Sequence, residues 1–536
     1  MSTSPGILKR LTPSALLDRN LAERPDQVAF IDGERSLSYT EFAALCRSTA
    51  GWLAAHGVGP GDRVAVWLVN RVEWLALYFG LARLGAVAVA INTRFRASEL
   101  EYVLERSGAD TLVLQLNFRK INFPAVLQDV NPAKARSLKR VVVVDAGEEM
   151  PRQVLGKPTF GFDPGETSCP AASEQPDALS ILFTTSGTTK GPKLVMHTQG
   201  TVTRHSESIA RSFELDRPGA RMLATFPFCG VAGFNAALAA FAAGAPVVML
   251  DTFDGAAAAR LARRHEVTHL LVGDDMLRRV LENVSGDVPF PSLRVMAFGA
   301  YHPGVEGLMQ TAQQRNMQPM VGLYGSSEVQ GLFALQPVSA PFAHRIEGGG
   351  RPVSGADAQV RVREVETGEL LPPGRSGELE IRAPTNFIGY LNDPETTAQA
   401  IDAEGFFRTG DIGRLRDDGT FVYETRRGDA MRLAGFLVSP IEIEDVLKSA
   451  PGVADVQVVA VEMSGQSRCV AFVIPVPGAA PREADVIAAV SSRMAAFKLP
   501  ARIWFVDQFP TTESANGVKV QRTRLRDMAI ERLVKE

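Results

Sequence analysis

The chain has little cysteine, little lysine and no net charge to speak of, and each shortage excludes a class of protein. Four cysteines (Cys46, Cys169, Cys229 and Cys469) are scattered through 536 residues with no C-x-x-C pair. That argues against a disulfide framework or a cysteine zinc site and suits a reducing compartment. Lys+Arg at 57 against Asp+Glu at 60 leaves a net charge of −3, so no general attraction to nucleic acid or to an anionic membrane is built in. The N-terminal stretch MSTSPGILKRLTPSALL has no apolar core long enough for a signal peptide, which makes the cytoplasm the expected compartment. Met222 to Leu250 contains no charged residue and is long enough to cross a bilayer. It is interrupted by Pro227, Asn235 and Pro246 and is rich in alanine, so a buried helix and strand lining a pocket are expected instead. Lysine occurs eleven times against 46 arginines, with none between Lys193 and Lys448. A retained lysine is therefore informative, because an ammonium and a guanidinium are not equivalent.

What is present is a rhythm of alternating helix and strand patterns. Tyr39–His56 reads as an amphipathic helix, then strand RVAVWLV, helix Glu73–Leu84, strand AVAVAIN, helix Ala97–Ser107 and strand TLVLQ. The same alternation returns between Phe253 and Ala300, which indicates crossover units and a largely parallel sheet. From about 351 to 423 the pattern changes to short strands between turns, suggesting a smaller antiparallel or barrel-like subdomain. After about Gly428 the chain restarts with a helix at Ile441–Ser449, a strand pair around SGQS, a helix at Ala484–Ala496 and strand RIWFVD. The expected class is α/β: a large domain over 1–427 and a mobile α+β domain over 428–536, with TTESANG as a polar loop near the end.

Residues 184–193, TTSGTTKGPK, follow the apolar run Leu179–Phe183 and have the hydroxyls, glycines and lysines of a phosphate-binding loop. They do not fit G-x-x-x-x-G-K-[ST]: counting from Gly187, the second glycine falls on Pro192, which has no N–H to offer. Downstream stand YGSSE (324–328), RTGD (408–411), RRGDAMRLAGFLVSPIEIE (426–444) and NGVKVQR. In this order and at these separations, the five stretches resemble the adenylate-forming superfamily of acyl-CoA synthetases, luciferases and peptide-synthetase adenylation domains.

The resemblance implies ATP, Mg²⁺ and coenzyme A. It makes Thr185, Ser186, Gly187, Thr188, Thr189 and Lys193 the loop over the phosphates, and Glu328 the carboxylate that holds the metal. Tyr324 would stand near the adenine, with Gly299, Ala300, Gly325, Ser326 and Ser327 around the nucleotide. Asp411 would accept the ribose hydroxyls, with Arg426 beside it. Lys519 would bridge the attacking carboxylate and the α-phosphate, so Lys519, Glu328 and Thr188 are the implied catalytic set. Rotation of the C-terminal domain about Gly428 would then withdraw Lys519 and bring in Gly435 and Phe436 toward the thiol tunnel.

The implied reaction joins a carboxylic acid to CoA by way of an acyl-adenylate. The pocket candidates Phe226, Phe228, Gly230, Val231, Phe298 and Val321 are apolar and point to a fatty, alicyclic or aryl acid. Gly230 stands where the family carries a His or aromatic gate, Phe298 replaces one glycine of a pair, and Gly428 replaces an Asp or Lys hinge. Lys519 lies one residue later than the usual G-K and is assigned by Arg522, three positions on. Two alternatives stay open: loading of a carrier-protein thiol, and a nucleotide-binding regulator that has lost catalysis. No nucleic-acid partner and no membrane span are expected, and a homodimer is left open.

Overall fold

A computed structural model describes residues 11–534 apart from 119, 148–149, 166–167, 186–191, 300–304, 318, 366, 428–430, 435, 439 and 515–516. Among the described residues, two large sheets dominate. The first has nine strands built around a parallel set, Leu179–Thr185, Val87–Ala90, Arg63–Trp67, Thr111–Gln115 and Arg140–Val144. On one edge, Lys193–Thr198 runs antiparallel to Leu179–Thr185, and Gly389–Tyr390 pairs outside it. The second sheet has thirteen strands, with Met320–Tyr324, Val295–Gly299, His269–Gly273, Met222–Ala224, Val247–Met249 and Val28–Asp32 parallel to one another.

Four helices fill the space between the sheets: Tyr39–Ala55, Val72–Leu84, Gln199–Ser212 and Val231–Ala243. Their side chains share one core with Val64, Val66 and Ala88 of the first sheet and Met222, Val247, Ala297 and Val321 of the second. The sequence of Val72–Leu84, VEWLALYFGLARL, is apolar nearly all round, and eleven of its thirteen residues are buried. A helix with no polar face must be covered on every side, and two sheets do that. The helix stops at Gly85, which adopts φ 69° to close the last turn. Tyr39–Ala55 starts from a capping box in which Ser38 and Glu41 satisfy each other's backbone N–H. The uncharged stretch 222–250 forms strand, helix and strand inside this sandwich. No helix among the described residues is long and apolar enough to cross a membrane.

Two differences from the sequence reading have simple causes. Apart from Gly389–Tyr390, which joins the nine-stranded sheet, the turn-rich strands between 349 and 426 are antiparallel and continue the thirteen-stranded sheet through Ala334–Leu335. Local turn chemistry reveals hairpins, not which edge they join. TTESANG is not all loop: Thr511–Ser514 is a strand paired with Gly517–Val520, with Thr512 opposite Lys519.

From 431 onward, the strands form sheets of their own. Val453–Met463, Gln466–Pro475 and Ile503–Phe505 make a three-stranded sheet. One face packs on helices Pro440–Lys448 and Glu483–Val490 around Val456, Val458 and Ala471. The other packs on Arg522–Leu533 around Val459, Phe472 and Leu525. The helix expected at 484–496 ends at Val490, and a short 3-10 turn, Ala496–Lys498, follows.

Candidate active site

The phosphate-type loop closes a hairpin. Thr185 and Lys193 are opposite one another at the ends of antiparallel strands, and Ser186, Gly187, Thr188 and Thr189 lie outside the described residues. A G-x-x-x-x-G-K-[ST] loop runs from strand into helix and presents the helix N-terminus to phosphate. Here a second strand follows, so the proline that broke the motif match costs no helix-end N–H. Lys193 carries its ammonium 4.6 Å from the centre of the Tyr390 ring. The Tyr390 hydroxyl in turn donates to Glu328 Oε1 at 2.9 Å. Loop lysine, tyrosine and carboxylate thus form one continuous contact.

YGSSE leaves the strand Met320–Tyr324 and folds into the short 3-10 turn Ser327–Val329. A Cβ on Gly325 would stand 1.9 Å from the Gly331 carbonyl oxygen, so only glycine fits where this turn doubles back. The turn is tied to the hairpin by His197, whose Nε2–H donates to the Ser327 carbonyl at 2.8 Å. Burial holds the His197 imidazole down to about pKa 4, so it is neutral and fixed in that tautomer. Glu328 is nearly enclosed, at 9% exposure.

Tyr324 and Asp411, 87 positions apart, meet directly: the tyrosine hydroxyl donates to Asp411 Oδ2 at 2.6 Å. Phe421 and Tyr423 pack against the Tyr324 ring. Asp411 is buried in strand Phe407–Leu415, and its backbone N–H is held by Thr409 Oγ1 at 3.0 Å. Arg426 is directly opposite Asp411 in the neighbouring strand. The next residue, Arg427, pairs with Glu378 at 2.8 Å and donates its backbone N–H to the Gly410 carbonyl, which fixes the RTGD turn. Gly299 is buried at the end of its strand, while Ala300 lies outside the described residues.

The apolar candidates do not all come together. Phe228 and Val321 belong to the core between the sheets, and Phe226 and Val231 pack against it. Phe298 lies in the core on the opposite face, among Val272, Leu277 and Met309. The register pairs Ala297 with Val321 and Phe298 with Gly322, so strand alternation sends Phe298 away from Val321. Phe298 is therefore removed from the set that could line one pocket with Val321. Gly230 caps the helix Val231–Ala243 in an extended conformation, and a Cβ there would touch the Pro227 carbonyl at 3.3 Å. Cys229, buried beside it, has its thiol pushed up to about pKa 11, so it offers no thiolate nucleophile.

Gly428 and Gly435 lie outside the described residues. Phe436 and Lys519 are placed by their strands, Phe436–Val438 and Gly517–Val520. Sequence reasoning missed Tyr390, His197 and Glu378. The run GYLNDPE signals a turn and a helix cap, with Asp393 accepting from Thr396 N–H, but nothing in it announces a partner 62 positions earlier. Among the described residues no group of three His, Cys, Asp or Glu could hold a metal by itself. A single enclosed carboxylate, Glu328, at the foot of a phosphate-type loop suits a hard cation that takes its other oxygens from phosphate and water.

The comparisons with known proteins bear on the family and the fold. The family model described as AMP-binding enzyme matches residues 17–391, and that of the AMP-binding enzyme C-terminal domain matches 442–516. The chain is 31% identical over 96% of its length and 99% of the relative's to 3-[(3aS,4S,7aS)-7a-methyl-1,5-dioxo-octahydro-1H-inden-4-yl]propanoyl:CoA ligase of Mycobacterium tuberculosis. It is 30% identical to 3-hydroxybenzoate--CoA ligase of an Aromatoleum species, over 94% of both chains. Among solved structures, it superposes on a double mutant of o-succinylbenzoate CoA synthetase from Bacillus subtilis, bound with a product analogue. The TM-score is 0.80, at 23% identity over 96% of this chain and 98% of that one. On the same enzyme in complex with its acyl-adenylate intermediate the TM-score is 0.66, at equal identity and coverage. A model covering most of the chain, a second for its C-terminal part and relatives matched nearly end to end place it: the chain belongs to the AMP-binding enzyme family.

Proposed function

We propose that the protein is an AMP-forming carboxylate–CoA ligase acting on an alicyclic or aryl acid. The observation that carries this reading is the junction of Tyr324 with Asp411 beside the Lys193–Tyr390–Glu328 contact, at the mouth of the hairpin loop. That arrangement provides an aromatic face for a base, a buried carboxylate for a diol, and a cation and a carboxylate for a triphosphate and its metal. The apolar residues Phe226, Phe228, Val231 and Val321 favour a hydrophobic acid. The curated relatives named above, which act on a bicyclic propanoate and on a hydroxybenzoate, support the same class.

The chemistry follows from a leaving-group problem. A carboxylate cannot expel oxide, so its oxygen attacks the α-phosphorus of ATP, the bond to the β-phosphate oxygen breaks, and pyrophosphate leaves. The thiol of CoA then attacks the carbonyl of the acyl-adenylate. AMP departs, and the thiol proton passes to solvent. Asp411 accepts the ribose hydroxyls, and the bond from Tyr324 keeps its carboxylate oriented. Lys193 neutralises phosphate charge, and Lys519 is assigned to the charge that grows between carboxylate and α-phosphate. Glu328 would hold a Mg²⁺ ion, which would supply charge neutralisation on the phosphates. The protein acts by positioning and electrostatics, with no covalent enzyme intermediate.

Acid-dependent exchange of pyrophosphate into ATP, measured over a panel of alicyclic, aryl and fatty acids and repeated with CoA, tests the reading. The expected result is exchange with a hydrophobic ring acid and conversion to its thioester when CoA is added. Absence of exchange with every acid would overturn it, and exchange without CoA turnover would transfer the second half-reaction to another thiol.

A further inference from the structure

We propose that Glu99 and Lys498 are positioning residues for the second half-reaction: the ion pair that holds the C-terminal part in its thioester-forming arrangement. This rests on the ligase reading above. The pair joins segments 399 positions apart, with Lys498 Nζ donating to Glu99 Oε1. Both side chains are almost wholly enclosed, at 6% and 8% exposure. The second oxygen of Glu99 accepts the Arg96 backbone N–H at 3.0 Å, which fixes the carboxylate at the start of helix Ala97–Ser107. The Lys498 ammonium stands 5.7 Å from the Phe95 ring and 5.8 Å from that of Phe497, one aromatic from each side of the seam.

The neighbouring contacts show that this is a seam and not a shared core. The Ser98 hydroxyl donates to the Arg493 carbonyl, the Arg94 guanidinium lies 5.9 Å from the Phe497 ring, and Gln466 donates to Asp275 at 3.3 Å. A small cavity of about 150 Å³ remains beside the pair, bounded by Tyr102 and Pro192 on one side and Ile443, Val446 and Met494 on the other. Pro192 ends the phosphate-type loop, so the C-terminal part rests against that loop's base. Each partner is anchored without the other. The helix of Glu99 belongs to the outer core of the nine-stranded sheet, and the Lys498 backbone is held by its own domain through Ala495 and Cys469. The Glu99 carboxylate also caps its own helix through the Arg96 N–H, but its bond to Lys498 is the part that joins the two segments.

Two findings point to the second half-reaction. The chain fits o-succinylbenzoate CoA synthetase bound with a product analogue at TM-score 0.80, but fits the same enzyme with its acyl-adenylate at 0.66. Since identity and coverage are unchanged, the difference lies in how the parts are arranged, and the arrangement seen here goes with the thioester state. A buried ion pair also has the energetics of a selector. Both charges are costly to enclose singly, so the seam closes when they meet and is strongly disfavoured when one is removed. Opening the seam returns both groups to water, which keeps the arrangement reversible.

The test separates the halves. Wild type, Glu99→Gln, Lys498→Met and the double variant Glu99→Leu with Lys498→Met are assayed for acid-dependent ATP–pyrophosphate exchange. They are also assayed for single-turnover thioester formation from supplied acyl-adenylate and CoA. Thermal unfolding of each variant is recorded alongside. Each single variant is expected to slow thioester formation by at least about tenfold and to leave exchange within about twofold, with the double variant recovering much of the loss. Equal loss of both halves, or an unchanged second half in both single variants, would overturn the proposal. If wild type shows no exchange with any acid, the ligase reading fails and takes this proposal with it. An active wild type with unaffected single variants removes this proposal alone.

Discussion

The proposed nucleotide site and the interdomain seam both rest on buried charged groups, and they use them in opposite ways. At the proposed site, each carboxylate is tied by a neutral hydroxyl within the large domain: Asp411 by Tyr324, Glu328 by Tyr390. These bonds set the direction of each carboxylate. At the seam, Glu99 is neutralised by Lys498 from the other domain, and its charge is spent on the contact. A hydroxyl partner orients a carboxylate, whereas an ammonium partner cancels it. A binding site requires the first, and a reversible closure the second.

Substitutions at the two regions should therefore separate cleanly. The largest effect is expected from Lys519→Ala: exchange should fall by roughly 10²–10³-fold, the scale for removing one transition-state charge donor. Thioester formation from supplied acyl-adenylate should largely survive. Equal loss in both halves would place this lysine in both steps. Asp411→Ala should come next, lowering kcat/KM for ATP by about a hundredfold. An unchanged KM for ATP would detach it from the ribose. Tyr324→Phe keeps the ring but deletes the hydroxyl that aims Asp411, and should lower kcat/KM for ATP by about tenfold. Steady-state kinetics in ATP check both.

The smallest expected effect is on stability. Burial depresses three imidazoles, His197 and His269 to about pKa 4 and His205 to about 3. Between those values and the unperturbed value near 6.5, the unfolded chain binds more protons than the folded one. Stability should be full above about pH 6.5 and decline as pH falls through that window, by a few kcal/mol in sum. Denaturant midpoints between pH 7.5 and 4.5 would show it. A flat profile over that range would mean that the imidazoles are hydrated in solution.

Most of the fold is legible because its signals are local. The helices Tyr39–Ala55 and Ala97–Ser107 lie where periodicity and caps place them, and the parallel strands where apolar runs occur. The edge to which the antiparallel strands 349–426 attach was not legible, since register is a property of two chains of residues and not of one. Phe298 shows the same limit within the site. A residue beside a glycine at a strand end looks like a pocket wall, but its face is fixed only once its neighbour Val321 is in register.

By itself, the sequence determined the family and the candidate residues: a hydroxyl-rich loop, a glutamate after Y-G-S-S, an aspartate in R-T-G-D and a late lysine, to which the family resemblance assigns phosphate, metal, ribose and transition-state roles. Only the tertiary structure decided which groups hold those residues in place. Tyr390 lies 62 positions after Glu328, Tyr324 87 before Asp411, and Lys498 399 after Glu99. The reason is physical. The chemistry of a group belongs to its own side chain, but its orientation and its charge depend on a neighbour that chain folding, and not chain order, provides.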